Sequence, residues 1–455
     1  MIERHFSYWL NSRVLLGLAV ALPLVAFETQ TAWSQRSNTA LKEIDDPPAP
    51  ESNYLQAVVG ATLIDGRGGA ALKNSVVVIR GNRIEAIGPR DLVPVPAGAT
   101  VVEATGLTLL PGLLDSHFHT GGGVRMTLIP GIFLRRGVTS ARDPGRPFAH
   151  YDPIRALETP VPRLFLTGGH LDQPPPAHPS NAELVADEAE ARAVVNRFVD
   201  AGGSAIKVYF RLPVELIRAV CETAKERGVP VTAHLEIVPA DEAIRAGVTG
   251  IEHISSFGTA LADPVYAQRF VSGTQSDNAF RREGRFELWN ALDLENSSRS
   301  QELLKLIVKE GVFISPTLGI FEKRLGKEGA TPVHAHAFQN MLKFTGMCHR
   351  AGAPIVVGSH NQLSTRPDGT AYADEMKLLV ECGLTPMEAI VAATMNNARF
   401  FRVEDRLGSV EVGKLADLVL LEGDPLHDIG AMRNVQRVML NGRWVADRRE
   451  NDRRN

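Results

Sequence analysis

Thirteen histidines are spread over 455 residues, and five of them stand where they could share chemistry: His117, His119, His234, His253 and His360. His117 and His119 end the run Leu113-Leu-Asp-Ser-His-Phe-His119. On a strand, side chains at i and i+2 point the same way, so both imidazoles can share one metal ion. A second pair, His334 and His336, opens a helical stretch. There, i and i+2 diverge by roughly 200° and cannot chelate together. His234 and His253 each close an apolar run, one β-α unit apart, and His360 closes another. Lys207 lies inside Ala205-Ile-Lys-Val-Tyr209, where an ammonium is costly. Such a lysine is either paired with a carboxylate or altered so that it is no longer a cation. Gly121-Gly-Gly123 has no strand-to-helix context and is not read as a phosphate cradle.

Those residues need a frame. From 111 to 402 the chain alternates β-type runs with amphipathic segments. The strand candidates are Leu113–His119, Val138–Arg142, Arg163–Thr167, Ser204–Val208, Pro230–His234, Thr249–His253, Val312–Pro316 and Pro354–Gly358. The pattern predicts an α/β fold, a (β/α)₈ TIM barrel over 111–402, in which catalytic groups come from the C-terminal ends of the strands. All five histidines fall there. The polar surplus between Phe257 and Ser300 is expected to be a loop. An open doubly wound sheet is the alternative, but it calls for a Gly-rich turn after the first strand, and none is found. Residues 53–110 and 403–448 are strand-rich, and neither is long enough to bury a good core alone. Together they are expected to form one small β-sandwich domain from both chain ends.

The first 34 residues read as an export signal: Arg4 and Arg13, an apolar run Val14–Phe27, then Ala32-Trp-Ser34. The run is shorter than the about 20 residues that span a bilayer, and an uncleaved anchor is the alternative. Residues 35–52 read as a linker. The expected location is therefore periplasmic or secreted, with no membrane attachment after cleavage. Forty-nine basic against 52 acidic residues give a net charge of −3, with no long-range pull toward nucleic acid. Cys221, Cys348 and Cys382 lack zinc-type spacing and make no disulfide framework.

Pro111-Gly-Leu-Leu-Asp-Ser-His-Phe-His119, Lys207, His234 and His253 resemble the metal-dependent amidohydrolase superfamily. So do Leu384-Thr-Pro-Met-Glu-Ala-Ile-Val-Ala-Ala-Thr394 and Gly408-Ser-Val-Glu-Val-Gly-Lys-Leu-Ala-Asp-Leu-Val419. The nearest branch is that of imidazolonepropionase, prolidase-like dipeptidases and ochratoxinase-type amidases. The resemblance implies a barrel with a β-sandwich and two divalent metal ions, usually zinc. It puts His117 and His119 on one ion, His234 and His253 on the other, and a carboxylated Lys207 between them.

One position departs from the family, whose eighth strand ends in an aspartate that shuttles the proton of the attacking water. Here Val356-Val-Gly-Ser-His-Asn361 places His360 there. His360 or Asp368, on the following loop, is expected to manage that proton, although Asp368 before Gly369 also reads as an ordinary turn residue. Asp143, after the second strand, is expected to support the site rather than react. Tyr209 and Arg211 are candidates to contact a substrate carboxylate, with a loop salt bridge as the other reading of Arg211. His170 is a candidate to line the pocket. The expected activity is hydrolysis of a C–N bond in a small amide or dipeptide. The alternative is a binding protein that keeps the ligands and has lost hydrolysis. Assembly into a homo-oligomer stays open.

Overall fold

Valine-rich runs build the first layer. The computed structural model describes residues 47–361 and 366–447; the segment read as an export signal, most of the linker and residue 448 lie outside them. β1 (Leu55–Leu63), β2 (Leu72–Arg80) and β3 (Arg83–Pro89) pair antiparallel in succession. β4 (Thr100–Glu103) runs parallel beside the first half of β1, and β5 (Leu107–Pro111) beside its second half.

The chain then enters its parallel part. β6 (Leu113–Asp115), β7 (Val138–Asp143) and β8 (Arg163–Leu166) form a three-stranded sheet. β9 (His170–Asp172), β10 (Ala182–Leu184), β11 (Ile206–Val208), β12 (Val231–Ala233), β13 (Gly250–Glu252) and β14 (Phe313–Ser315) form a six-stranded one, ordered β10-β9-β11-β12-β13-β14. β9 and β10 are not foreseen by the sequence pattern. Gly168, at φ +73°, breaks the third run, which resumes as β9 against β11. The eighth expected strand, 354–358, makes one bridge, Ile314 to Ile355. Its amide of Val356 donates to Ile314 O, and its carbonyl at Val357 accepts from Ser116 N, both at 2.9 Å. It therefore hydrogen-bonds to β14 on one side and to the end of β6 on the other.

Helices Glu188–Asp200, Val214–Glu226 and Ser298–Glu310 occupy the expected amphipathic segments. Asp187 caps the first by accepting from Glu190 N at 2.9 Å. The stretch expected as a loop after Phe257 instead folds into helices Gly258–Leu261, Pro264–Ser276 and Arg281–Asn290. Its amphipathic face is disguised, because Arg281 and Arg285 are buried on the same helix as Phe286 and Trp289. No helix among the described residues is long and apolar enough to cross a membrane.

β15 (Leu418–Glu422), β16 (Val435–Leu440) and β17 (Arg443–Asp447) bring the chain back to β5. All eight strands of this part form one sheet, β17-β16-β15-β5-β1-β2-β3 with β4 on β1. The expected sandwich is thus a single connected sheet. Val58, Val77 and Ile79 share one apolar cluster with Leu418, Leu420 and Met439, so its two ends bury a common core. Asp417, from the Gly408–Val419 motif, locks it to the parallel part: both carboxylate oxygens meet the guanidinium of Arg163, the second at 3.1 Å, and both residues are buried.

Candidate active site

The corner after β6 sets the first two imidazoles. The Asp115 carboxylate accepts from His117 N at 3.1 Å and Ser359 N at 3.0 Å, and also binds the Ser359 hydroxyl. These bonds tie the His-x-His turn to the stretch that carries His360. Burial pushes the Asp115 carboxyl up to about 7 against the pull of those donors. Gly358 is required here, since a Cβ would come within 2.6 Å of Ser315 Oγ and 2.8 Å of His117 Cβ. His360 and Asn361 both take left-handed backbone angles, φ +53° and +58°, as does His253 at +64°. Non-glycine residues in that region carry strain that the surrounding bonds must hold.

Nε2 of His117 lies 3.1 Å from Nε2 of His119. Two nitrogens on one tetrahedral cation, each at about 2.0–2.1 Å, are about 3.3–3.4 Å apart, so the pair fits an ion. The other nitrogen of each ring faces a carboxylate. His119 Nδ1 donates to Asp143 Oδ1 at 3.2 Å, and Asp143 Oδ2 accepts from Thr120 N and Oγ1 at 3.1 and 2.6 Å. Burial pushes Asp143 up, but these bonds outweigh it and leave the carboxyl below its usual range. His117 Nδ1 lies 2.9 Å from Glu252 Oε2, and Lys207 forms an ion pair with the same oxygen. Glu252 is thus a buried carboxylate within reach of the Lys207 amine. His117 Nδ1, Lys207 Nζ and Glu252 Oε2 are buried without a hydrogen bond of ordinary geometry.

His253 Nδ1 lies 2.7 Å from Thr317 Oγ1, and His234 Nε2 lies 3.2 Å from Glu236 Oε1. The His253 ring is 4.5 Å from that of His234 and 4.6 Å from that of His117, centroid to centroid. His360 stacks on His117 at 4.9 Å, and its backbone amide donates to His117 O at 2.8 Å. Donor atoms of His117, His119 and His360 all fall within 4.8 Å of one another, as do those of His117, Glu252 and His253. Burial first, then neighbouring imidazoles, holds His117 and His253 well below the usual histidine range, and burial lowers His234 to about 3. Neutral imidazole is the form that ligates metal, so the donor chemistry fits a divalent ion.

Above these rings lies a cavity of about 980 Å³. The structure brings His117, His119, Lys207, His234, His253 and His360 together in its lining, with His170 and Tyr209 on the wall. His170 packs on Tyr209 at 4.3 Å, and its Nε2 is buried without a partner.

Two expected residues are elsewhere. Arg211 does not line the cavity; it donates to Thr274 O and Asn278 Oδ1, both at 2.7 Å, and clamps the end of helix Pro264–Ser276. Asp368 does not reach it either. Its carbonyl accepts from Arg136 Nε at 2.8 Å, its carboxylate accepts from Thr370 Oγ1 at 3.1 Å, and its side chain is 54% exposed. Arg136 precedes β7, so Asp368 sits toward the opposite ends of the strands from the histidines.

Glu252, Glu236, Arg281 and Arg285 were not read from the sequence. Glu236 lies 3.1 Å from Arg285 and 3.7 Å from Arg281. Burial pushes its carboxyl up, but Arg285, His234 and Arg281 hold it down at about 2. The only signal was the cost of Lys207, which calls for a buried carboxylate without saying which one.

The Amidohydrolase family model matches residues 108–445, and the chain belongs to that family of hydrolases acting on C–N bonds. It is 24% identical over 429 residues to a 5-methylthioadenosine/S-adenosylhomocysteine deaminase of Symbiobacterium thermophilum, covering 82% of this chain and 88% of that one. Its fold is similar to that of a Xaa-Pro dipeptidase, TM-score 0.67 at 23% identity, over 86% of this chain and 99% of the other. It is also similar to A. niger ochratoxinase, TM-score 0.68 at 22% identity, over 87% and 96%. Those likenesses imply the (β/α)₈ barrel with a β-domain.

Proposed function

We propose that this enzyme is an exported amidase or dipeptidase that cuts a C–N bond in a small substrate with the help of two divalent ions. Zinc is favoured by an imidazole-rich donor set. The observation that carries the reading is the convergence of five imidazoles under a cavity walled by two buried arginines. His117, His119 and His360 would hold one ion, and His234 and His253 the other. Lys207 would bridge them after its amine nitrogen bonds to CO₂ and releases a proton, placing an oxygen ligand where an ammonium is costly. Bound ions supply Lewis acidity at the scissile carbonyl and a lowered pKa for water.

The chain's own residues do the rest. Asp143 and Glu252 fix the orientation of His119 and His117. Arg281 and Arg285 take the carboxylate role first given to Arg211, because they are the buried guanidiniums that line the cavity, and Arg281 Nε is buried without a partner. Tyr209 and His170 shape the wall beside them. Closure of the strands into a barrel is supported by the backbone bonds from Ser116 to Val357, Val356 to Ile314 and Ser204 to Leu166. Export rests on the Val14–Phe27 run and the small-residue site after it.

The test is reconstitution with zinc, a metal count, and assay of amine release on a panel of dipeptides and N-acyl amino acids. Two ions per chain with turnover are expected. One ion or none sinks the binuclear site. Two ions without turnover of any amide favours the binding-protein reading, which His360 in place of a carboxylate makes specific.

A further inference from the structure

The buried pair Arg281 and Arg285 share one carboxylate, Glu236, and the mouth above them is more unbalanced still. Arg282, Lys323 and Lys327 line the cavity, and none has a carboxylate partner among the described residues. Glu283 is the one carboxylate in the described lining, and it is already engaged, by Arg324 at 3.3 Å and His334 at 2.7 Å. Lys323 is half-buried; burial first, then Lys327 and Arg366, lowers its pKa. Cations crowded into a concave, partly desolvated mouth repel one another, and an anion entering there relieves both the repulsion and the missing counter-charge. The crowding comes from two separate segments, helix Arg281–Asn290 and the end of helix Gly319–Leu325, so it is a property of the site rather than of one basic helix.

We infer that the substrate is dianionic: one carboxylate seats on Arg281 and Arg285, and a second meets Arg282, Lys323 and Lys327 at the mouth. The chemical class is an amide of an acidic amino acid, such as an N-acyl glutamate or aspartate or an acidic dipeptide. The amide-hydrolase reading supplies the bond that is cut; the charge requirement stands on the cavity wall.

The two are separable by measuring binding as well as turnover. Calorimetric titration of the zinc-loaded protein with N-acetylglutamate and its uncharged-side-chain analogue N-acetylglutamine, in both enantiomers, reads the second charge directly. The acid is expected to bind at least about tenfold more tightly, since focused fields in charged clefts act at this scale. The gap should shrink between about 0.05 and 0.5 M salt, because the mouth is open to screening. Arg282→Gln with Lys327→Gln should remove most of it; both side chains are exposed, so the fold is not at stake. Equal affinities, no binding of either amide, or a gap that survives the double substitution would overturn the inference. Acid-selective binding without amide cleavage would leave it standing and remove the amidase reading. Cleavage of the neutral amide with equal affinity would do the reverse.

Discussion

His117 Nδ1 lies 2.9 Å from Glu252 Oε2, and the ammonium of Lys207 meets that same oxygen. Glu252 Oε1 accepts from Thr232 Oγ1 at 2.7 Å, so the carboxylate cannot turn away. A carboxylate at Nδ1 favours the tautomer that leaves the lone pair on Nε2, the atom facing His119. Glu252→Gln keeps the size and removes that preference. Metal affinity should fall about 10–100-fold, read by competition with a chelator. An unchanged affinity would show that His117 is oriented by its backbone alone.

Lys207→Ala should empty at least one metal position, counted by elemental analysis. Added short carboxylic acids should restore part of the binding, because they return an oxygen donor to the vacated space. Full metal content in the variant would make Lys207 a structural partner of Glu252 and nothing more.

The Arg163–Asp417 pair joins the strand-rich sheet to β8, with both side chains buried. Asp417→Ala removes the buried carboxylate that meets both sides of this buried guanidinium. Breaking such a pair from one side costs about 3–5 kcal/mol, which urea unfolding should register. A loss below about 1 kcal/mol would show that this carboxylate adds little to the join between the two parts.

Glu375 predicts a pH effect away from the histidines. Its oxygens accept from Leu318 N at 2.7 Å and Gly319 N at 2.9 Å. Burial raises the carboxyl to about 8 despite these bonds. The folded value lies above the unfolded one, so its contribution to stability is full below about pH 4 and is lost as pH rises through about 8. Glu375→Gln cannot ionise. Its stability should start lower, by about 1–3 kcal/mol for a lost acceptor, but fall less steeply between those pH values. Parallel slopes for the two proteins would sink the assignment.

The strand ends were legible because period and position agree. His117 and His119 share a face by strand geometry, and His234 and His253 follow at β-α spacing, so burial and convergence follow from where the strands stop. Glu252 was not legible, because nothing in Gly-Ile-Glu-His says which way its side chain turns until β13 is paired with β12 and β14. Arg281 and Arg285 were hidden for a different reason. They sit on a helix whose charges conceal its buried face, and a polar stretch reads as solvated. Asp368 and Arg211 were drawn to the site by residue type, but Gly369 at φ +78° and the Asn278 contact turn them elsewhere.

His360 is where the chain departs from its family, and the structure narrows what it does. With Asp368 at the far ends of the strands, no replacement carboxylate from that loop stands over the site. The His360 ring stacks on His117 and lies 4.7 Å from the His119 ring, close enough to share their ion. Burial first, then His119 and Lys323, holds its pKa well below the usual range, so it is a weak proton acceptor. His360→Asp should therefore keep the metal content and raise kcat, since general acid–base help is typically worth about 10²–10⁴-fold. His360→Ala is the control: it should lose metal without gaining rate. A fall in kcat for His360→Asp at full metal content would mean that the site is built around imidazole, and that the proton leaves through a group other than the one the family uses.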